Sequence, residues 1–141
     1  MHYRANDQKL RDGDLLLLDA GCEHDYYASD ITRTFPVNGR FTPAQRAVYE
    51  VVLHAQLAAI EKVRPGNHWN EPHEAAVRAI THGLVGLGLL KGRLSRLIKD
   101  HAYLPFFNHR TGHWLCLLYT SVISARPRFA SAGYSSSCRR S

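Results

Sequence analysis

Two adjacent β-forming segments near the N-terminus constrain the fold more than any other feature of the sequence. The turn signal Asp12-Gly13-Asp14 precedes the leucine run Leu15–Leu18, which is typical of a buried strand. The segment from Tyr26 to Val37 is rich in aromatic and β-branched residues, which predicts a second strand. Because only a short polar turn separates the two segments, we expect them to pair as an antiparallel hairpin.

Helix signals follow the hairpin. Thr42 and Gln45 stand at the two positions of a capping box, and Pro43 stands at the first helical position, where proline is favoured. This pattern predicts an amphipathic helix that begins at Pro43 and ends at Arg64-Pro65-Gly66.

The rest of the chain completes an α+β pattern. A second helix is predicted from Glu71 to Leu87 with Asn70 as its cap, and one or two further helical turns are predicted at Leu94–Ile98. The segment Ala102–Leu118 is rich in aromatic and β-branched residues and predicts a further strand. From Thr120 to Ser141 the hydrophobic pattern fades, so this segment is expected to be disordered.

Composition and charge exclude several classes of protein. With 45% hydrophobic and 21% charged residues, the 141-residue chain has the composition of one globular domain rather than of a disordered or collagen-like protein. The net charge is +6, but much of it comes from arginines in a terminal segment without any acid. A folded nucleic-acid interface would gather basic residues on one face, so we expect no nucleic-acid partner. The arginines of that segment are Arg126, Arg128, Arg139 and Arg140.

The cysteines and the apolar runs indicate the compartment. Cys22, Cys116 and Cys138 form no C-x-x-C pair and leave an odd count, which disfavours a disulfide framework or a zinc knuckle. The N-terminal residues lack the apolar core of a secretory signal, and no apolar run approaches the length of a membrane span. We therefore expect a cytoplasmic protein without a membrane partner.

Two aspartates are the first candidates for chemistry. Asp19 ends the first predicted strand and Asp30 lies in the second, so in a hairpin both carboxylates can project onto one face. Two neighbouring buried carboxylates need a cation, and a divalent metal ion such as Mn or Mg meets that need. His113 is the best candidate for an added imidazole ligand, which would extend the choice to Zn, Co or Fe. Taken singly, each aspartate is more often a turn cap or a surface residue, and His113 is more often a packed or exposed histidine. Other histidines fit no ligand spacing and are interpreted as surface or core residues: His54, His68, His73, His82 and His101.

Three motifs in order resemble the metal-binding core of the Xaa-Pro aminopeptidases. They are Leu17–Glu23, Tyr27–Val37 and His109–Leu115, with the two predicted helices between the second and the third. The resemblance extends over about residues 2–115 and implies a partial pita-bread (creatinase/aminopeptidase-like) fold, an antiparallel sheet with helices on one side. It also implies a peptidase that removes the N-terminal residue from peptides with proline in the second position.

The resemblance assigns roles residue by residue. It implies two divalent metal ions, usually Mn, with Asp19 as a terminal ligand, Asp30 as the bridge and His113 as the imidazole ligand. It implies that His2 lines the site, and that His109 contacts the substrate or assists proton movement. The reaction would be metal-assisted hydrolysis, in which activated water attacks the carbonyl before proline.

The resemblance ends after Leu115, and no Asp or Glu follows Asp100. The two metal-binding glutamates of the family therefore have no counterpart here. We expect residues 1–115 to be part of a metallopeptidase catalytic domain and residues 116–141 to be a divergent, disordered Ser/Arg-rich tail. The chain is then an inactive fragment of a parent that forms a homo-oligomer. The alternative is a non-catalytic pita-bread module that acts as a binding scaffold, although a scaffold has no need for the three candidate ligands together.

Overall fold

The computed structural model describes residues 7–113. Within that range the chain divides into two compact units. The first contains residues 7–40 together with His113, and the second is Phe41–Gly112. None of the helices in residues 7–113 has the length and apolar character needed to cross a membrane.

The first unit is built on an antiparallel hairpin, as the sequence predicts. Strand β1, Leu15–Ala20, pairs with strand β4, Ile31–Pro36, in a register that runs from Leu15 opposite Pro36 to Ala20 opposite Ile31. Between them lies a smaller ribbon of β2, Glu23–His24, and β3, Tyr27–Ala28. The second predicted strand, Tyr26–Val37, is thus divided into two.

The tip of this ribbon reverses the chain with two residues in the left-handed region. Asp25 has φ 50° and Tyr26 has φ 68°. Two positive φ values in a two-residue loop are the geometry of the hairpin turn whose twist matches paired strands. An aspartate tolerates this conformation well, whereas a tyrosine adopts it only at some cost in backbone energy.

The expectation that the leucine run is buried is wrong. Leu17 is 61% exposed, and only Leu16 in this run is half-buried. A two-stranded ribbon has two faces, and the described part of the first unit contains no helix that could cover either of them. The leucine run after the turn signal therefore identified the strand correctly but not its burial.

The second unit is a helical hairpin with a short third helix. Helix α1 spans Pro43–Glu61, α2 spans Glu71–Gly86 and α3 spans Leu94–Lys99. The predicted capping box is present. The Gln45 backbone amide donates to the Thr42 hydroxyl at 3.2 Å, and the Thr42 backbone amide donates to the side-chain oxygen of Gln45 at 2.9 Å. These two bonds satisfy amides that would otherwise lack partners at the helix start.

Helices α1 and α2 pack through small side chains. Four of the eight buried core residues of the second unit are alanines, which lets the two helix backbones approach closely. The helices approach closely at Gly83, because a Cβ atom there would lie 2.3 Å from a methyl carbon of Val51. The buried core residues are Ala55, Ala59, Ala76, Val77, Ala79, Ile80, Leu84 and Tyr103.

The prediction of a strand at Ala102–Leu118 is wrong over its described part. Residues 101–106 form successive turns, in which the Tyr103 carbonyl accepts from the amides of both Phe106 and Phe107 at 2.9 Å. Aromatic residues raised the strand expectation, but here they serve to pack this turn against the helices. The rest of that segment and the predicted disordered tail lie outside the described residues.

Candidate metal centre

Asp19 lies on one face of the hairpin and is oriented by a neighbouring hydroxyl. The β1–β4 register places Asp19 opposite Thr32, and the Thr32 hydroxyl donates to Asp19 Oδ1 at 2.9 Å. Asp30 precedes β4 by one residue and stands two positions before Thr32. Because side chains alternate along a strand, this register extended by one step assigns Asp30 to the same face as Asp19.

The segments that carry the two aspartates are held together where their backbones meet at Cys22 and Ser29, which we call the crossing. The Cys22 amide donates to the Ser29 hydroxyl at 3.1 Å, and the Ser29 amide donates to the Cys22 carbonyl at 2.8 Å. Gly21 lies so near the other segment that a Cβ atom would be 2.0 Å from the Ser29 carbonyl oxygen. Glycine is therefore required between Asp19 and this crossing, because any larger residue would push the two segments apart.

The third candidate ligand reaches Asp30 from far along the sequence. His113 Nε2 lies 2.9 Å from Asp30 Oδ2, a contact between residues 83 positions apart. The Asp30 side chain is 25% exposed, and the His113 side chain is 51% exposed. In this arrangement the imidazole Nε2–H donates to the carboxylate. Exchanging that proton for a metal ion would leave one oxygen and one nitrogen donor side by side.

The chemistry of these donors fits a divalent metal ion in part. Carboxylate oxygens suit Mn and Mg, and an imidazole beside them also suits Zn, Co or Fe. Within residues 7–113, however, the structure gathers no group of three or more His, Cys, Asp or Glu side chains that could hold an ion. Asp30 and His113 are brought together, and Asp19 lies on β1, which pairs with the strand that directly follows Asp30. The described residues thus supply part of a ligand set and not a complete one.

The structure describes only one of the other two predicted site residues, His2 and His109. His2 lies outside the described residues. His109 belongs to the second unit, where it is exposed and its ring stands edge-on to that of Phe107, with centroids 5.5 Å apart. Its Nδ1 lies 3.3 Å from the carbonyl oxygen of Arg110.

A second histidine beside Phe107 was not among the predicted site residues. The His73 ring lies 5.8 Å from that of Phe107, and its Nδ1 is a buried atom without a hydrogen-bond partner among the described residues. Burial and, after it, the charge of Arg110 lower the pKa of His73, while Glu74 opposes them. His73 stands far from Phe107 in the sequence and fits no ligand spacing, so no local signal could have revealed this neighbourhood.

Comparison with known proteins identifies similar sequences over most of the chain. The model of metallopeptidase family M24 matches residues 1–136. Over 117 residues the chain is 54% identical to the Xaa-Pro aminopeptidase of Haemophilus influenzae, a match that covers 83% of this chain and 27% of that protein. It is 50% identical to the Xaa-Pro aminopeptidase of Escherichia coli over 83% of this chain and 26% of the relative. The chain thus spans about a quarter of the length of the curated relatives it matches.

Solved structures agree with the sequence matches. The aminopeptidase PepP of Pseudomonas aeruginosa aligns with a TM-score of 0.79 and 63% identity, over 82% of this chain and 26% of that chain. A zinc-substituted aminopeptidase P of E. coli in complex with product aligns with a TM-score of 0.76 and 50% identity, over 81% of this chain and 26% of that chain.

Proposed function

Because the chain belongs to metallopeptidase family M24, we propose that it is the metal-ligating segment of an Xaa-Pro aminopeptidase. The parent enzyme would remove the N-terminal residue from peptides with proline in the second position, as the names of its relatives indicate. The observation that carries the proposal is the contact between Asp30 and His113, two donors of different type from distant parts of the chain. The similarity to aminopeptidase P structures also confirms the predicted α+β, partial pita-bread fold class.

The spacing of candidate residues supports the assignment. Solved alanine variants of E. coli aminopeptidase P replace two aspartates with the same separation in sequence as Asp19 and Asp30. Two further variants replace histidines whose separations from those aspartates match those of His2 and His109. A third replaced histidine would fall, by the same spacing, on Thr120. The agreement in spacing therefore holds for the four predicted site residues named in this paragraph and does not hold for the third replaced histidine.

The residues of this chain would each contribute one element of the mechanism. When bound, divalent metal ions lower the pKa of a coordinated water and polarise the peptide carbonyl. Asp19, Asp30 and His113 would hold the ions, with the Thr32 hydroxyl keeping the Asp19 carboxylate in orientation through its hydrogen bond. His109 would contact the substrate or assist proton movement. We propose Mn as the metal and the cytoplasm as the location, with a homo-oligomer as the intact form.

We further propose that the 141-residue chain alone is inactive. No Asp or Glu follows Asp100, so residues 101–141 cannot supply the two further carboxylates that the resemblance implies. Loss of a partner that only orients a ligand typically lowers metal affinity about 10- to 100-fold, and loss of the ligands themselves costs more. The isolated chain should therefore bind Mn weakly and release no residue from an Xaa-Pro peptide.

A chimera tests the proposal. Residues 2–115 would replace the matching segment of the E. coli Xaa-Pro aminopeptidase, and release of the first residue from an Xaa-Pro peptide would be measured with added Mn. We expect an active chimera, and we expect Asp30→Asn and His113→Ala each to lower its activity by more than about 100-fold. His82→Ala, an exposed position on α2, serves as the matched control and should leave activity unchanged.

The same experiment separates the alternatives. A chimera that folds but stays inactive would favour a non-catalytic module of the same fold. An active chimera that tolerates Asp30→Asn and His113→Ala would contradict the assignment of these residues as metal ligands.

A further inference from the structure

The start of α2 and the segment around His109 are joined by two side-chain contacts within the second unit. We propose that two residues at the start of α2, Asn70 and His73, position the His109 side chain. His73 acts through Phe107, and Asn70 acts through Arg110. The inference rests on the proposed function only for the consequence in catalysis, because the positioning itself concerns contacts within this chain.

The first connection is a series of three ring contacts, with Phe107 between His73 and His109. The Phe107 ring is half-buried and packs against the helical core. The backbone amide of Phe107 donates to the Tyr103 carbonyl at 2.9 Å. The His73 ring lies 5.8 Å from it at a tilt of 31°, and the His109 ring lies 5.5 Å from it, edge-on at 63°. Both distances fall within the range of about 4.5–7 Å over which aromatic pairs attract each other. Phe107 therefore holds His109 in an edge-on contact and is itself covered by His73.

The second connection is a hydrogen bond beside His109. The Arg110 guanidinium donates to Asn70 Oδ1 across 40 positions of sequence. Asn70 occupies the N-cap position of α2, but its backbone is helical and its side chain makes no capping bond. Its oxygen is thus used for Arg110 rather than for the helix start. An anchored Arg110 restricts the backbone immediately after His109.

The surroundings of His73 explain why an aromatic ring, and not a charge, is required there. Its Nδ1 is buried and lacks a hydrogen-bond partner among the described residues, and Arg110 lies close enough to repel a charged ring. Both conditions favour the neutral imidazole, in which an unprotonated Nδ1 leaves no donor unsatisfied. His73 then acts as a flat, uncharged support for Phe107. Phenylalanine should replace it in this role, whereas alanine should not.

Histidine NMR on the metal-free 141-residue chain tests the positioning without reference to activity. The ring resonances and the titration of His109 would be followed in His73→Ala, His73→Phe and Asn70→Ala, with His82→Ala as the control on the same helix. We expect His73→Ala and Asn70→Ala to shift the His109 resonances more than His82→Ala does, and His73→Phe to restore them. Asn70→Ala removes no capping bond, so it keeps the test valid should His73→Ala unfold the helices.

The chimera that contains residues 2–115 tests the consequence of this positioning for catalysis. His73→Ala should lower its kcat/KM about 10- to 100-fold and displace its pH profile, because a group that must be oriented is misplaced, while His73→Phe should retain activity. His109 resonances that stay unchanged in both His73→Ala and Asn70→Ala would overturn the positioning. If those resonances shift but His109→Ala leaves the chimera fully active, the positioning stands and the proposed role of His109 fails.

Discussion

Replacing Gly21 by alanine should disrupt the crossing that joins the two aspartate-bearing segments. The new Cβ atom would lie 2.0 Å from the Ser29 carbonyl oxygen and 3.0 Å from its carbonyl carbon. These are backbone atoms, so no side-chain rotation can relieve the clash. The segments must separate by about 1.4 Å to bring the Cβ atom to 3.4 Å from the oxygen, where ordinary contact begins. This separation is enough to weaken the hydrogen bonds of Cys22 and Ser29.

The magnitude follows from two contributions. Overpacking at a tight site costs about 1–3 kcal/mol, and each weakened hydrogen bond costs about 0.5–1.5 kcal/mol. A loss of about 2 kcal/mol in the local stability of the ribbon is therefore a conservative expectation. At about 1.4 kcal/mol per tenfold change, this loss corresponds to roughly 30-fold faster exchange of the protected amide.

Amide hydrogen exchange at Ser29 measures this effect directly, because that amide donates across the crossing. Gly112→Ala is the matched control, since a Cβ atom there would meet no atom within 4 Å. We expect fast exchange at Ser29 in Gly21→Ala and nearly unchanged exchange in Gly112→Ala. Equal exchange rates in the two variants would refute the steric argument.

Three other predictions concern the helix start, pH and metal binding. Thr42→Ala removes the acceptor for the Gln45 amide and should lower the stability of the second unit by about 1 kcal/mol in thermal unfolding; an unchanged melting temperature would contradict the capping role. The pKa of His73 is lower in the folded chain than in the unfolded chain, so the unfolded chain binds a proton on this ring more readily. The free energy of unfolding should therefore fall as the pH drops through about 6.5, the ordinary histidine pKa. His73→Phe should reduce this pH dependence in denaturant titrations. Thr32→Val removes the hydroxyl that donates to Asp19 and should weaken Mn binding to the chimera about 10- to 100-fold in calorimetry. Thr34→Val on the same strand should leave the Mn affinity unchanged. Equal Mn affinities in the two variants would argue against Thr32 as an orienting partner of Asp19.

Features that depend on neighbours in sequence were predictable. The capping box at Thr42 and Gln45 formed as expected, because its bonds join residues within a single helical turn. The pairing of β1 with β4 was likewise predictable, since a short connection strongly favours an antiparallel hairpin. For the same reason the sequence alone places Asp19 and Asp30 near each other.

Features that depend on the path of the chain were not predictable in this way. The leucines of β1 identify a strand, but their exposure depends on what else packs against it. The aromatic residues between Ala102 and Phe107 resemble a strand, yet contact with the helices stabilises a series of turns instead. Intrinsic strand preference is weak, and packing overrides it readily.

The candidate site depends on both kinds of information. The residue types and their order in the sequence indicate carboxylate and imidazole ligands, and the resemblance assigns each a role. The 2.9 Å contact between His113 and Asp30 exists only in the folded chain. The same is true of the hydrogen bond that Arg110 donates to Asn70 at the start of α2. Local patterns specify bonds between near neighbours, whereas contacts between distant residues arise from the packing of whole elements, which no short stretch of sequence encodes.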